Sequence, residues 1–164
     1  MFSGRKSASK RREQIEAADR AVGAAMSALD CDNPSKARKE LSVAPKTHYA
    51  DMGWKVDLAL AMIELRAGKH KQGTQRLIVV CSRLDETSLG RDDKNYLRLY
   101  ALYRASEASK DGKPPLELRD MVEDFSFDHN LISPLIRKDF PLKKVEEALV
   151  APPPLPPPPP GADF

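Results

Sequence analysis

The sequence predicts an all-α protein, and three observations carry that expectation. Apolar residues recur at three- and four-residue spacing through most of residues 13–149, the period of one face of a helix. No stretch shows the two-residue alternation of a half-buried strand. Pro, Gly and Asn punctuate the chain where helices should stop and start. The expected architecture is a set of antiparallel helical hairpins, stacked as a short solenoid or closed as a bundle, with disordered termini. The chain divides into a basic arm at 1–12, a helical domain at 13–149 and a proline-rich tail at 150–164.

The elements follow in order. Ile15, Ala18, Val22, Ala25, Met26 and Leu29 share one face of a first helix of about 17 residues. Asn33 suits a helix cap and Pro34 a first helical position, so a short second helix starts there and runs to about Val43 before Pro45. Tyr49 to Ala67 is apolar on both sides, with Met52, Val56, Ala59, Leu60 and Ile63 on one and Leu58, Ala61, Met62 and Leu65 on the other. A helix apolar nearly all round has neighbours on both sides, so this one should be central.

The polar run Gly68 to Gly73 breaks that helix, and the next carries Leu77, Val80, Cys81 and Leu84 at i, i+3, i+4, i+7, which makes a helical hairpin. A further two-sided helix, capped by Asp92 or Asp93, carries Tyr96, Leu99, Tyr100 and Tyr103 on one stripe and Leu97, Ala101, Ala105 and Ala108 on another. Asp111 to Pro115 is a loop by turn chemistry. Leu118, Met121, Val122 and Phe125 suggest a short helix. Ser133-Pro134 and Phe140-Pro141 start two more helical turns, presenting Leu135 and Ile136, then Val145, Ala148 and Leu149.

Composition sets the broad class. Of 164 residues, 41% are apolar, 31% charged and 6% aromatic, which suits one water-facing domain whose core relies on Leu, Ala, Val and Met. No apolar run approaches the length of a membrane span, so no membrane contact is expected. The formal charge is +3, yet residues 1–12 alone hold Arg5, Lys6, Lys10, Arg11 and Arg12 without an acid, leaving 22 basic residues against 24 acidic ones elsewhere. The basicity belongs to the arm, which argues against a nucleic-acid surface spread over the whole domain. Cys31 and Cys81 have no C-x-x-C spacing, and no secretory apolar stretch follows Met1. Both cysteines are expected to be small buried apolar residues in a reducing, cytoplasmic setting, with the nucleus as the alternative.

Shifting the first hairpin onto the second by 36 residues pairs Ala25 with Ala61, Asp32 with Gly68, Ala37 with Gly73 and Leu41 with Leu77. Small falls on small and large on large, as close helix crossings require. This spacing resembles the tetratricopeptide repeat over residues 15–84, with a third unit from Lys94 to Phe125. Leu60 and Ala61 fall where that family has its Leu-Gly pair, Gly68 in its turn, and Gly73 at the small-residue site of its second helix. Asp57 and Glu64 stand at its aromatic positions and Asp85 at its closing proline. The resemblance implies a concave groove for peptides or partner helices, and no reaction.

No constellation carries chemistry. Asp30-Cys31-Asp32-Asn33 begins like a calcium loop, but Pro34 and Leu41 occupy positions where a ligand and the closing glutamate belong. His48, His70 and His129 are scattered, and His70 between two lysines reads as solvated. Nucleophile-elbow and phosphate-loop signatures are missing. No enzyme, metal or cofactor is expected.

Binding remains. Tyr96, Tyr100 and Tyr103 fit a helix core or, alternatively, a groove for a partner. Arg5, Lys6, Lys10, Arg11 and Arg12 read as an import signal, a weak non-specific nucleic-acid contact or a solubilising end, with no aromatic interleaved among these five to stack on bases. The last fifteen residues hold eight of the fourteen prolines, and proline runs adopt an extended left-handed helix outside any core. The strip Pro153, Pro154, Leu155, Pro156 and Pro157 resembles ligands of profilin, WW and EVH1 domains; a plain spacer is the other reading. The sequence thus predicts an adaptor whose helical body binds one protein and whose tail recruits another, with a nucleic-acid-associated accessory protein as the alternative. Self-association stays open.

Overall fold

The computed structural model describes residues 2–45, 50–113, 115–122 and 129–142. Among these residues the chain forms seven α-helices and no strand. They are α1 (Phe2–Asp30), α2 (Pro34–Leu41), α3 (Ala50–Arg66), α4 (His70–Arg83), α5 (Arg91–Ala108), α6 (Leu116–Met121) and α7 (Pro134–Asp139), with 3-10 turns at Leu84–Glu86 and His129–Leu131. Helical conformation in α1 reaches back into the basic arm, where no proline or glycine pair stops it. The side chains of Ala8 to Glu13 are exposed, and burial begins at Ala18. An unpacked helical end is marginal in water, so the tertiary fold starts where apolar periodicity starts.

Two turns with the same hydrogen-bond pattern organise the body. After α1 the amide of Asn33 donates to Ala28 O at 3.0 Å and that of Asp32 to Leu29 O at 2.9 Å. After α3 the amide of Lys69 donates to Glu64 O at 2.9 Å and that of Gly68 to Leu65 O at 3.2 Å, 36 positions later. Both are helix-closing motifs that need one residue in the left-handed region. Gly68 takes it at φ 84°, and Asp32 takes it at φ 56°, a conformation that acidic and amide side chains tolerate better than most. Asn33 then opens α2 by accepting from the Lys36 amide at 3.1 Å, with Pro34 in the first turn. The break before α4 is thus confined to 67–69, and Gly73 lies inside the helix.

The hairpins α1–α2, α3–α4 and α5–α6 pack in sequence order. Helix α3 touches α1, α2, α4 and α5, as its two-sided apolar pattern requires, and buries Trp54, Leu58, Ala59, Ala61, Met62 and Ile63. Ala25, Ala37 and Ala61 are fully buried. At Gly73 an added Cβ would stand 2.7 Å from Leu65 Cδ2 and 3.1 Å from the Leu65 amide nitrogen, so only glycine lets α3 and α4 approach this closely.

Glu64 and Asp85, two acids at positions where the repeat pattern has other residues, form ion pairs. Glu64, buried in α3, accepts from Arg76 Nε of α4 at 2.5 Å. Asp85 faces Arg98 at 3.1 Å and Lys94 at 3.6 Å across the α4–α5 connection, and the Arg98 hydrogen bond holds its carboxyl below the ordinary value. The expected caps of α5 are corrected. Gly90 precedes the helix without a side-chain cap, and Asp93 instead accepts from the Ser133 amide at 2.9 Å, anchoring the start of α7.

The C-terminal described segment closes the body. Helix α7 docks on α1, and Phe140, 1% exposed, sets its ring 6.1 Å from Trp54 and 5.5 Å, edge-on, from Tyr100. Ile136 is buried while Leu135 is exposed. The expected positions Phe125, Val145, Ala148 and Leu149 lie outside the described residues.

Gly73→Ala should lower the melting temperature although alanine is the better helix former. The gain of about 1 kcal/mol in propensity is set against an overpacking cost of about 1–3 kcal/mol. Thermal melts of the two chains decide the sign.

Candidate partner-binding cleft

The tyrosine stripe does not form the open groove. Tyr96 and Tyr100 are each 1% exposed, because the chain's own segment 134–142 lies over them. The Tyr96 hydroxyl donates to Phe140 O at 2.7 Å, and burial pushes the Tyr100 phenol above its ordinary value, opposed by Arg104. Only Tyr103 is half-exposed, beneath the Arg104 guanidinium 5.6 Å from its ring centre. That same guanidinium lies 5.0 Å over Tyr100 and pairs with Glu107 at 2.9 Å. The stripe is core on its inner side, the reading that helical spacing more often deserves.

Beside Phe140 a cleft of about 310 Å³ remains, framed by α1, α3 and α5. Met26 and Leu29 come from α1, Met62 and Leu65 from α3, and Tyr100 and Arg104 from α5, with Pro141 at one edge. Its charged border is mixed, with Asp30 and Glu107 facing Arg66, Arg104 and His70. His70 is not a free loop residue. It is the first residue of α4, and its Nδ1 lies 2.6 Å from Ala108 O at the end of α5.

His70 and Ala108 also border a second, open hollow of about 700 Å³ shared with Gly68, Lys69, Lys71, Gln72, Ser109 and Lys110. Here the repeat diverges in one informative position. Lys69 stands where the first hairpin has Asn33, and lysine has no acceptor, so α4 starts without a side-chain cap. The two hollows adjoin at His70 and Ala108, the first lined by Met26, Leu29, Met62 and Leu65 and the second bordered by three lysines.

A group of charged side chains gathers between α1, α3 and α7. Lys55 of α3 pairs with Asp19 of α1 and lies 5.7 Å over the Trp54 ring, while Asp139 of α7 is 6% exposed nearby. Burial raises the Asp139 carboxyl above its ordinary value, against the attraction of Lys55 and with the repulsion of Asp19.

The remaining expected site residues do not meet. Lys10, Arg11 and Arg12 are exposed in the N-terminal part of α1, the side chains of Arg5 and Lys6 lie outside the described residues, and so do Pro153, Pro154, Leu155, Pro156 and Pro157. Cys81 is buried, and burial pushes its thiol up to about 12, which makes it unreactive at neutral pH. Cys31 is exposed in the α1–α2 turn, contrary to the expected burial of both, because it sits where the chain leaves α1. Among the described residues no group of three or more His, Cys, Asp or Glu side chains could hold a metal ion, and no helix is long and apolar enough to cross a membrane.

The folded-state pKa of Asp139 exceeds its unfolded value, so its burial cost is fully present above that pKa and fades as pH falls towards the ordinary carboxylate range. Asp139→Asn should therefore raise the melting temperature at about pH 7, with the gain shrinking near pH ~3.5. A larger benefit in acid would contradict the assignment. Tyr100→Ala should cost about 3–5 kcal/mol, the loss of a buried aromatic ring, read by denaturant unfolding; an unchanged unfolding midpoint would mean that the ring is a surface contact.

No protein-family model, curated protein or solved structure matches the chain.

Proposed function

We propose that the protein is an interaction adaptor, with the helical body binding a partner peptide or helix and the polyproline strip recruiting a second protein. The observation that carries the reading is the cleft bordered by the first helices of all three hairpins, with Met26, Leu29, Met62 and Leu65 at its apolar end. Unbranched methionine side chains adapt to differently shaped ligands. A concave apolar site with a few polar groups at its border is the usual form of a recognition pocket.

The resemblance to tetratricopeptide hairpins supports the same reading, since it implies a concave groove for peptides or partner helices. In this chain the segment 134–142 packs on the first helices, and the partner takes what is left. The tail adds a contact of a different kind, because proline-rich ligands as a class lose little entropy on docking against aromatic side chains. Two weak contacts on one chain act together through effective concentration.

Met26 is half-buried at the cleft, so Met26→Glu should abolish recovery of peptides from a random display library while leaving the circular dichroism melt close to that of the native chain. Titration of profilin, WW and EVH1 domains against the full chain and a chain ending at Val150 tests the tail. Recovery of the same peptides by Met26→Glu would remove the cleft from the reading, and equal binding of all the domains to both chains would remove the tail.

A further inference from the structure

We infer that the partner segment bound at the cleft is acidic as well as apolar, with an apolar anchor beside Met62 and Leu65 and carboxylates on Lys69, Lys71 and Lys110. The inference rests on the adaptor reading and names the chemistry of its ligand. The apolar cleft and the second hollow are neighbours that share His70 and Ala108 in their linings. Every charged residue bordering that hollow among the described residues is basic. The chain apart from its arm has more acids than bases, so a border of three lysines without an acid is a local excess of charge.

The acid nearest in sequence, Asp111, is not among the residues that line the hollow. Asp111 accepts from Ser109 Oγ and from the Lys113 amide at 3.0 Å within its own turn. Its carboxyl is held below the ordinary value by those bonds. Lys69, Lys71 and Lys110 are exposed, and among the described residues none of the ion pairs uses them. The mixed charges of the cleft, by contrast, are largely engaged: Arg104 holds Glu107, and Arg66 faces Asp32 at 3.7 Å. Charge selection therefore falls to the lysine end, and apolar selection to the methionine and leucine end. A ligand that satisfies both carries bulky apolar residues followed by Glu or Asp.

The test is a selection of random displayed peptides on the full chain and on the full-length variant Lys69→Glu/Lys71→Glu/Lys110→Glu. All three side chains point to water, so the variant should fold, as circular dichroism will verify. Peptides recovered by the native chain should pair apolar residues with Glu or Asp, and their synthetic versions should bind the variant at least about tenfold more weakly. Recovery of apolar peptides without acidic bias, or equal binding to both chains, would overturn the inference and leave the adaptor reading standing. Recovery of no peptide by the native chain would overturn both. A labelled single-stranded DNA that binds the native chain and not the variant, with no acidic peptide recovered, would assign the lysines to nucleic acid and overturn the inference.

Discussion

The seating of Phe140 is the contact on which the rest of the structure depends. Its ring meets Trp54 of α3 and Tyr100 of α5, its carbonyl accepts the Tyr96 hydroxyl, and the preceding Asp139 lies against α1. Phe140 and Asp139 together thereby tie the closing segment to all three first helices, α1, α3 and α5. Aromatic pairs of this kind contribute about 0.5–1.5 kcal/mol beyond the area they bury. The charge beside them costs stability, because burial opposes ionisation of Asp139. The segment is therefore held by apolar and hydrogen-bond contacts and not by its ionic ones.

That closure explains where a ligand site survives. A face lined by Tyr96 and Tyr100 would be wide and aromatic if it were open, but the chain covers it with its own segment. What stays open is the end of the first-helix layer, where α1 and α3 stop and the turn into α4 begins. Two similar turns leave different chemistry there. Asn33 caps α2 with its side chain, whereas Lys69 leaves α4 uncapped and adds a cation. The close approach of α3 and α4 at Gly73 brings that lysine-rich start of α4 up to the end of α5, and His70 bridges to Ala108. Recognition is thus concentrated where the repeat is least symmetric.

Much of the helical order was legible because it is local. The spacing of Leu77, Val80, Cys81 and Leu84, the Asn33-Pro34 start and the pairing of Asp32 with Gly68 each reflect hydrogen bonds or faces within a few residues. The core role of α3 was legible too, since an all-round apolar helix admits no other position. Less legible was the role of Asp93, which looked like a cap for its own helix and serves the Ser133 amide, 40 residues on. Cys31 gave no signal of its exposure, because a turn residue beside a buried face has no period of its own. The cleft had one faint mark in the sequence, the lysines around His70, which read as a solvated loop until α5 was placed beside them.

The sequence by itself determined the helix class, the order and approximate limits of the hairpins, and the small residues at their crossings, because these depend on contacts within a turn or within one hairpin. Only the tertiary structure decided that the tyrosine stripe is covered, that segment 134–142 covers it, and that an apolar cleft and a hollow bordered by three lysines lie side by side. Those outcomes depend on pairs of residues tens of positions apart, such as Tyr96 with Phe140, whose meeting is set by how hairpins stack and leaves no period in the chain.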